Sequence, residues 1–350
     1  MRRFLFLLAF LVLILLLGLV LAGAWIRSEL ERPYYGGPPD GTFVDIPRGL
    51  STNRIADLLV KRGILAGSLS FTLYLRYTDS GRRIQAGEYR FTEPATPRQV
   101  AQRLIRGDVY FRSITVPEGL TARETIELLA KNGLGNLEEM GRALLRTDWI
   151  RDMDPAARNL EGYLFPETYR FGRKVASEAI IKTMVSQFRT SYSKIRSQSP
   201  DRTGLSVAQT VTLASMIEKE VKQPEEAPVV ASVLVNRLEK KMPLACDATI
   251  IYAMKLDGTY RGRLGSGDLR MESPYNSYLH PNLPPGPIAN PGARSIRAAL
   301  QPAKTKFLYY VSRNDGTHHF SEDYRSHLNA VDRYQRSLAG RRASRRESSN

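Results

Sequence analysis

The side chains best placed for chemistry are carboxylates in apolar or aromatic surroundings, and Glu218 is foremost among them. It lies in ASMIEKE (214–220). Residues 206–221 read as a helix that opens on Ser-Val-Ala-Gln, a capping box. On a helical wheel Val207, Val211, Leu213, Ala214, Ile217 and Val221 gather into one arc. Glu218 falls inside that arc, between Val207 and Val211, whereas Lys219 lies well outside it and Glu220 at its far edge. A carboxyl on the buried face of a helix is expensive unless it is paired or neutral. Desolvation favours the neutral form of such a group, and a carboxyl that keeps its proton near neutrality can serve as general acid in glycosidic cleavage. The plain alternative is a structural ion pair with Arg237 or Lys222.

A long irregular stretch, 242–291, supplies groups of a different kind. It holds SPYNSY (273–278), NLPPGP (282–287) and the turn at 290–292. Loops of this length in compact domains are usually functional. Tyr275, Asn276, Tyr278 and Asn282 stand beside stiff prolines. Aromatic faces and amide donors suit sugar rings; a proline-stiffened packing loop has the same composition. His318 and His319 are adjacent, so they point apart, and no partner lies at metal-ligand spacing. There is no phosphate-binding glycine loop and no nucleophile elbow, so no metal and no cofactor is expected. Cys246, the one cysteine, cannot form an intramolecular disulfide and reads as a small packed hydrophobe.

The elements that must hold these groups follow from periodicity. Residues 159–169 are aromatic and turn-rich. Residues 176–193 predict a helix with Ile180, Ile181, Met184, Val185 and Phe188 on one face. A turn at 201–204 precedes the Glu218 helix, a further helix is predicted over 229–240, and 307–312 reads as a strand. Upstream, VDIPRGLSTNRIADLLVKRGIL (44–65) aligns without gaps on ITVPEGLTARETIELLAKNGLG (114–135). Each copy reads as a strand, a Pro-Gly turn, a helix capped by Ser51 or Thr121, and a glycine stop. A shorter relative has a strand at 87–91 and a helix at 96–106. Such units resemble the LysM type of glycan-binding module; a plain α+β spacer fits the same pattern.

The chain has 350 residues and a formal net charge of +16, from 51 Lys and Arg against 35 Asp and Glu. That balance favours anionic partners: nucleic acid, acidic lipid or cell-wall carboxylates. The N-terminus decides between them. Residues 4–26 carry no charge and suffice to cross a hydrocarbon core of about 30 Å. A cleaved signal peptide ending near Ala22 and Ala24 is the alternative, but the apolar run is long for one. Arg2 and Arg3 face Arg27 and Arg32 across the span, a near tie on positive charge. The short N-terminus favours a cytoplasmic start and an exported bulk, which denies the protein access to nucleic acid.

In order along the chain, LEGYLFPETY (160–169), ASMIEKE (214–220), VLVNRL (233–238), DATIIY (247–252), SPYNSY (273–278), LPPGPIANP (283–291) and GTHHFS (316–321) resemble the endolytic murein transglycosylase family, MltG/YceG-like. The resemblance covers nearly the whole chain. It implies an inner-membrane protein with one span, a LysM-like subdomain and a catalytic subdomain in the periplasm. It implies cleavage of the bond between N-acetylmuramic acid and N-acetylglucosamine within glycan strands, leaving 1,6-anhydro ends. The family's catalytic glutamate falls on Glu218. Glu161, Tyr163, Asn236, Asp247, Tyr275, Asn276, Tyr278, Asn282 and His319 are the motif positions expected to bind the glycan. Release of nascent strands beside the synthases makes penicillin-binding proteins candidate partners. Ala245 and Ala248 depart from the family's Gln and Pro around Asp247.

The expected fold is α+β. Its layout is a cytoplasmic N-terminus (1–3), a transmembrane helix (4–26), a linker (27–40), a LysM-like subdomain (41–135), a catalytic domain (136–335) and a disordered basic tail (336–350). One carboxyl suffices if the sugar's own C6 hydroxyl traps the cleaved centre. Asp247, Glu161 and Glu220 are the candidates for a second. A muramidase acting on the same bond and a non-catalytic wall-binding scaffold are the competing readings.

Overall fold

The computed structural model describes residues 2–336, and these fall into two compact units, Met1–Arg112 and Ser113–Asn350. Helices and three two-stranded sheets make the architecture α+β, as expected. The basic tail lies outside the described residues apart from Arg336, which bonds Asp332 at 2.7 Å.

The first unit begins with α1 (Arg2–Leu30), whose stretch Phe6–Leu30 is long and apolar enough to cross a membrane and is exposed from Phe6 to Trp25. The helix therefore runs on past residue 26 into the expected linker. Then come β1 (Thr42–Ile46), α2 (Thr52–Lys61), α3 (Leu69–Tyr77), β2 (Gly87–Phe91) and α4 (Pro97–Arg106). β1 and β2 pair antiparallel with Val44 opposite Tyr89. Alternation puts Val44, Ile46, Tyr89 and Phe91 on one face, where they meet Ile55, Leu59, Phe71, Leu75, Val100 and Leu104. Each such side chain contributes about 1.5–3 kcal/mol on burial. Thr96 and Gln99 form a capping box at the start of α4, and Gly107 ends it at φ 72°.

The second unit carries β3 (Arg112–Thr115), α5 (Ala122–Lys131), α6 (Leu137–Ala143), β4 (Thr168–Phe171), α7 (Ser177–Gln198), α8 (Val207–Glu220), α9 (Ala227–Glu239), α10 (Asp247–Leu256), α11 (Ala293–Leu300), β5 (Tyr309–Ser312), β6 (His318–Ser321) and α12 (Tyr324–Val331). β3 pairs with β4, and β5 with β6 as an antiparallel hairpin. The division at Arg112 means that the second repeat copy, 114–135, sits in the larger unit. Ile114, Val116, Ile126, Leu129 and Leu134 explain this, because they enter the same core as α7 and α8.

α8 is the axis of that core and packs on α9, α10 and α11. The capping box of Ser206 and Gln209 forms as the sequence predicts. The helix is buried all round from Thr210 to Ile217, not on one arc. Its hydroxyls bond backward to carbonyls, Thr210 to Ser206 at 2.9 Å and Thr212 to Ala208 at 2.8 Å, which lets polar residues enter the core. α10 lies inside the 242–291 stretch, which the sequence marks as irregular. Cys246 at its N-cap makes no side-chain cap bond, and Thr249, Ile250 and Ile251 are β-branched, so local signals are weak. Tertiary contacts hold it instead: the Cys246 N–H donates to Ser277 Oγ at 3.0 Å, and Thr249 Oγ1 and Ser277 Oγ bond at 2.9 Å.

Candidate active site

Glu218 occupies the last turn of α8 and is half-buried. Its Oε2 accepts the backbone N–H of Gly292 at 3.0 Å and the hydroxyl of Ser295 at 2.7 Å. Both donors come from the start of α11. Oε1 takes no hydrogen bond among the described residues. The anticipated ion pair does not form: Glu218 makes no salt bridge among the described residues. Arg237 donates instead to the carbonyls of Leu308, Pro243 and Leu244 at 2.6, 3.1 and 3.0 Å.

Two loops meet beside this carboxyl, and Asn290 joins them. Gly119 N–H donates to Asn290 O at 3.0 Å, and Asn290 N–H to Leu120 O at 2.8 Å. The buried Asn290 amide donates to Leu120 O at 2.9 Å and accepts the Leu164 N–H at 3.0 Å. Lys219 Nζ adds a bond to Gly119 O at 3.0 Å. Gly119 takes φ 78°, and a Cβ there would stand 3.6 Å from Glu218 Cγ. The carboxyl that stands beside Glu218 is Glu118, which the sequence reading missed, along with Ser295. Burial pushes the Glu118 carboxyl up, the charge of Glu218 pushes it further, and Arg294 opposes both. The signal was available: aligned copies put Arg48 where Glu118 stands, so this position departs from its own repeat.

The other candidates for a second carboxylate lie elsewhere. Glu161 is buried; its Oε1 accepts the Ala122 N–H at 2.8 Å and its Oε2 the Tyr252 hydroxyl at 3.2 Å. Burial outweighs those donors and raises its pKa to about 7. The Glu220 carboxyl, also raised by burial, accepts the Cys246 thiol at 2.9 Å, which is itself pushed up and stays a neutral packed group. Asp247 begins α10 and accepts the Tyr278 hydroxyl at 2.6 Å. Ala245, two residues before it, takes φ 50°, a left-handed conformation uncommon outside glycine.

The remaining expected positions divide by how their polar groups are used. Tyr163 is in the core and donates to Asp154 at 2.6 Å. Asn236 donates to the carbonyls of Thr305 and Phe307 at 3.0 and 2.9 Å. Asn276 is buried and spans the carbonyls of Leu269 and Met271 at 3.1 and 2.8 Å. These amides hold loops in shape. Asn282 is exposed, and His319 is half-buried on β6 against the Tyr334 ring at 5.7 Å. Tyr275 packs on Tyr252 at 4.9 Å and lines a cavity of about 590 Å³ with Glu161, Tyr163, Arg158 and Pro287. His318, the other histidine considered for metal, bonds Glu226 through Nδ1 at 2.7 Å.

A profile of the YceG-like family matches residues 44–333. A Bacillus subtilis protein named endolytic murein transglycosylase is 32% identical over 333 residues, covering 90% of this chain and 91% of its own. Its Streptococcus pneumoniae namesake in strain D39 is 27% identical over 308 residues, covering 77% of this chain and 54% of its own. The crystal structure of a yceG-like protein from Listeria monocytogenes superposes with a TM-score of 0.56 at 29% identity, covering 84% of this chain and all of that one.

Proposed function

The chain belongs to the YceG-like family, and from that membership and the fixed Glu218 carboxyl we propose an endolytic transglycosylase that cuts peptidoglycan strands from within. The observation that carries the site assignment is the asymmetry of Glu218. One oxygen is held by Gly292 and Ser295, and the other is left for substrate.

The chemistry needs one carboxyl acting twice. Glu218 gives its proton to the glycosidic oxygen between N-acetylmuramic acid and N-acetylglucosamine as that bond breaks. The oxocarbenium-like carbon left behind is attacked by the same sugar's C6 hydroxyl. The Glu218 carboxylate takes the hydroxyl proton, which restores the acid and leaves a 1,6-anhydro end. No water is consumed, so the spaced carboxylate pair of an inverting hydrolase is not required. In the larger unit, the cavity beside Glu161 and Tyr275 has aromatic and amide groups suited to a sugar ring. Asp247, Tyr278, Asn282 and His319 are partly or fully exposed and remain available for further contacts.

In the smaller unit, the order β1, α2, α3, β2 supports the LysM-like reading. A groove of about 910 Å³ lined by Arg48, Gly49, Asn53, Arg76 and Gln85 would hold a glycan strand there. α1 supports a single-pass membrane anchor; on this reading the membrane is the inner one, and the chain after α1 lies in the periplasm beside penicillin-binding proteins that make new strands.

Digestion of uncrosslinked glycan by the purified chain should release products lighter by one water than hydrolysed ends. Glu218→Gln should fold with an unchanged melting temperature and lose at least ~10³-fold in kcat. Products carrying the added water would make the enzyme a muramidase. Full activity in Glu218→Gln would move the acid elsewhere.

A further inference from the structure

Three arginines of the smaller unit converge on one groove from separate parts of the chain: Arg48 from the Pro-Gly turn, Arg76 from α3 and Arg82 from the short helical turn Gly81–Arg83. Their guanidinium groups make no ion pair or hydrogen bond among the described residues. They line the cavity of about 910 Å³, where Asp79 is the one acidic side chain among the lining residues. No Phe, Tyr or Trp lines it. A sugar ring packs its C–H face on an aromatic ring; this groove offers cations instead, with the amides of Asn53 and Gln85. The second repeat copy shows what such a turn can hold. There the N–H of Ala122, the first residue of α5, donates to the Glu161 carboxyl at 2.8 Å. Thr52 is the counterpart of Ala122; it lies on the groove wall, and its N–H meets no acceptor among the described residues. The aligned position before the glycine is Glu118 in that copy and Arg48 in this one.

We propose that this groove binds the free carboxylates of the peptide stems carried on N-acetylmuramic acid, so that the smaller unit holds a strand by its acidic stems rather than by its sugar faces. The inference deepens the reading of the groove as a glycan seat and rests on it. Guanidinium forks take carboxylates through paired N–H···O bonds that are stronger than neutral ones. The stems end in carboxylates, whereas the N-acetyl groups of the sugars are neutral, so the charge that the groove selects lies on the peptide. Three cations against Asp79 leave a net attraction for anions that grows as salt is lowered. In the second copy a carboxyl of the chain itself fills the corresponding place. In the first copy that place is left to a carboxylate from outside.

The test is the Kd of the full chain in detergent for soluble, uncrosslinked, peptide-bearing glycan, before and after its stem carboxyls are converted to amides. The wild type should bind the acidic glycan about tenfold more tightly than the amidated one. Arg76→Gln/Arg82→Gln should erase that preference with an unchanged melting temperature, since both side chains are exposed. Arg54→Gln/Arg83→Gln removes the same charge from exposed positions outside the groove and should keep the preference within about twofold. Equal wild-type binding of the two glycans overturns the proposal. So does a preference that survives Arg76→Gln/Arg82→Gln, or one lost equally in the control pair, which would reduce it to overall charge. Inorganic phosphate and acetate, compared as competitors at one ionic strength, form a second arm. Displacement of the glycan by phosphate but not by acetate would assign the groove to phosphate and overturn the proposal. Cleavage is scored apart from binding. A chain that shows the preference yet cuts neither glycan loses the transglycosylase reading and keeps this site, whereas one that cuts both without preference does the reverse.

Discussion

Segments 44–65 and 114–135 share sequence and backbone but not surroundings. Each has a strand, a Pro-Gly turn with the glycine at φ 79° or 78°, a ten-residue helix and a stop glycine at φ 71° or 70°. In the first copy the turn faces an open groove, and a Cβ on Gly49 would meet nothing within 4 Å. In the second the same turn is clamped by Asn290, Lys219 and Glu161, and its glycine touches Glu218. Local sequence sets the shape of the turn. What the turn touches is set by partners far away in sequence.

Removing the partner that most separates the copies should have the largest effect. Asn290→Ala takes away the acceptor of the buried Leu164 N–H and a donor to Leu120 O. Leu120 O keeps the backbone N–H of residue 290, so the Leu164 N–H is the group left unpaired, at a cost of about 1–3 kcal/mol. It also frees the segment that aims Gly292 at Glu218, so kcat should fall by about 10²-fold. Arg48→Ala in the first copy, with no comparable clamp, should change stability by under ~0.5 kcal/mol. Urea melts and initial rates decide the matter. Equal effects in the two copies would mean that the clamp carries no weight.

The same contrast explains how much could be read from the sequence. The spans of α7, α8 and α9, the Ser206 capping box and the repeat were legible because each rests on contacts within a few residues. α10 was not, since its support comes from Ser277 across a loop. Glu218 was visible as a carboxyl in an apolar helix. Its donors, Gly292 and Ser295, lie more than seventy positions on, where periodicity says nothing. The helical wheel also misjudged α8, because a helix buried all round has no single apolar arc.

Glu161 adds a pH-dependent difference between the copies. Its carboxyl accepts the first N–H of the second copy's helix, at Ala122, while the equivalent N–H of Thr52 has no carboxylate partner among the described residues. Its folded-state pKa of about 7 lies above the ordinary 4.5, so the folded state binds this proton more tightly than the unfolded chain. That stabilisation is whole below the unfolded value and is lost as pH rises through the folded one. The wild type should therefore lose roughly 1 kcal/mol per pH unit across that window. Glu161→Gln should lack this slope. Parallel stability curves for the two proteins would show that the group does not titrate there.

The smallest effect lies at the caps, where the cause is local. Thr121 accepts the Glu124 N–H at 3.1 Å, and Glu124 returns a bond to the Thr121 N–H at 2.9 Å. Ser51 has the same extended backbone, φ −68° and ψ 150°, but makes no cap bond. The third helical residue there is Arg54, which has no acceptor to reach back with. Thr121→Ala should cost about 1 kcal/mol, and Ser51→Ala only a few tenths. Arg54→Glu in the first copy supplies the missing carboxylate and should stabilise it by roughly 0.5 kcal/mol, an increment that Ser51→Ala should abolish. If Arg54→Glu gives nothing while Thr121→Ala still destabilises, the cap of the second copy depends on its packed surroundings too. The difference between the copies would then be tertiary even at its most local point.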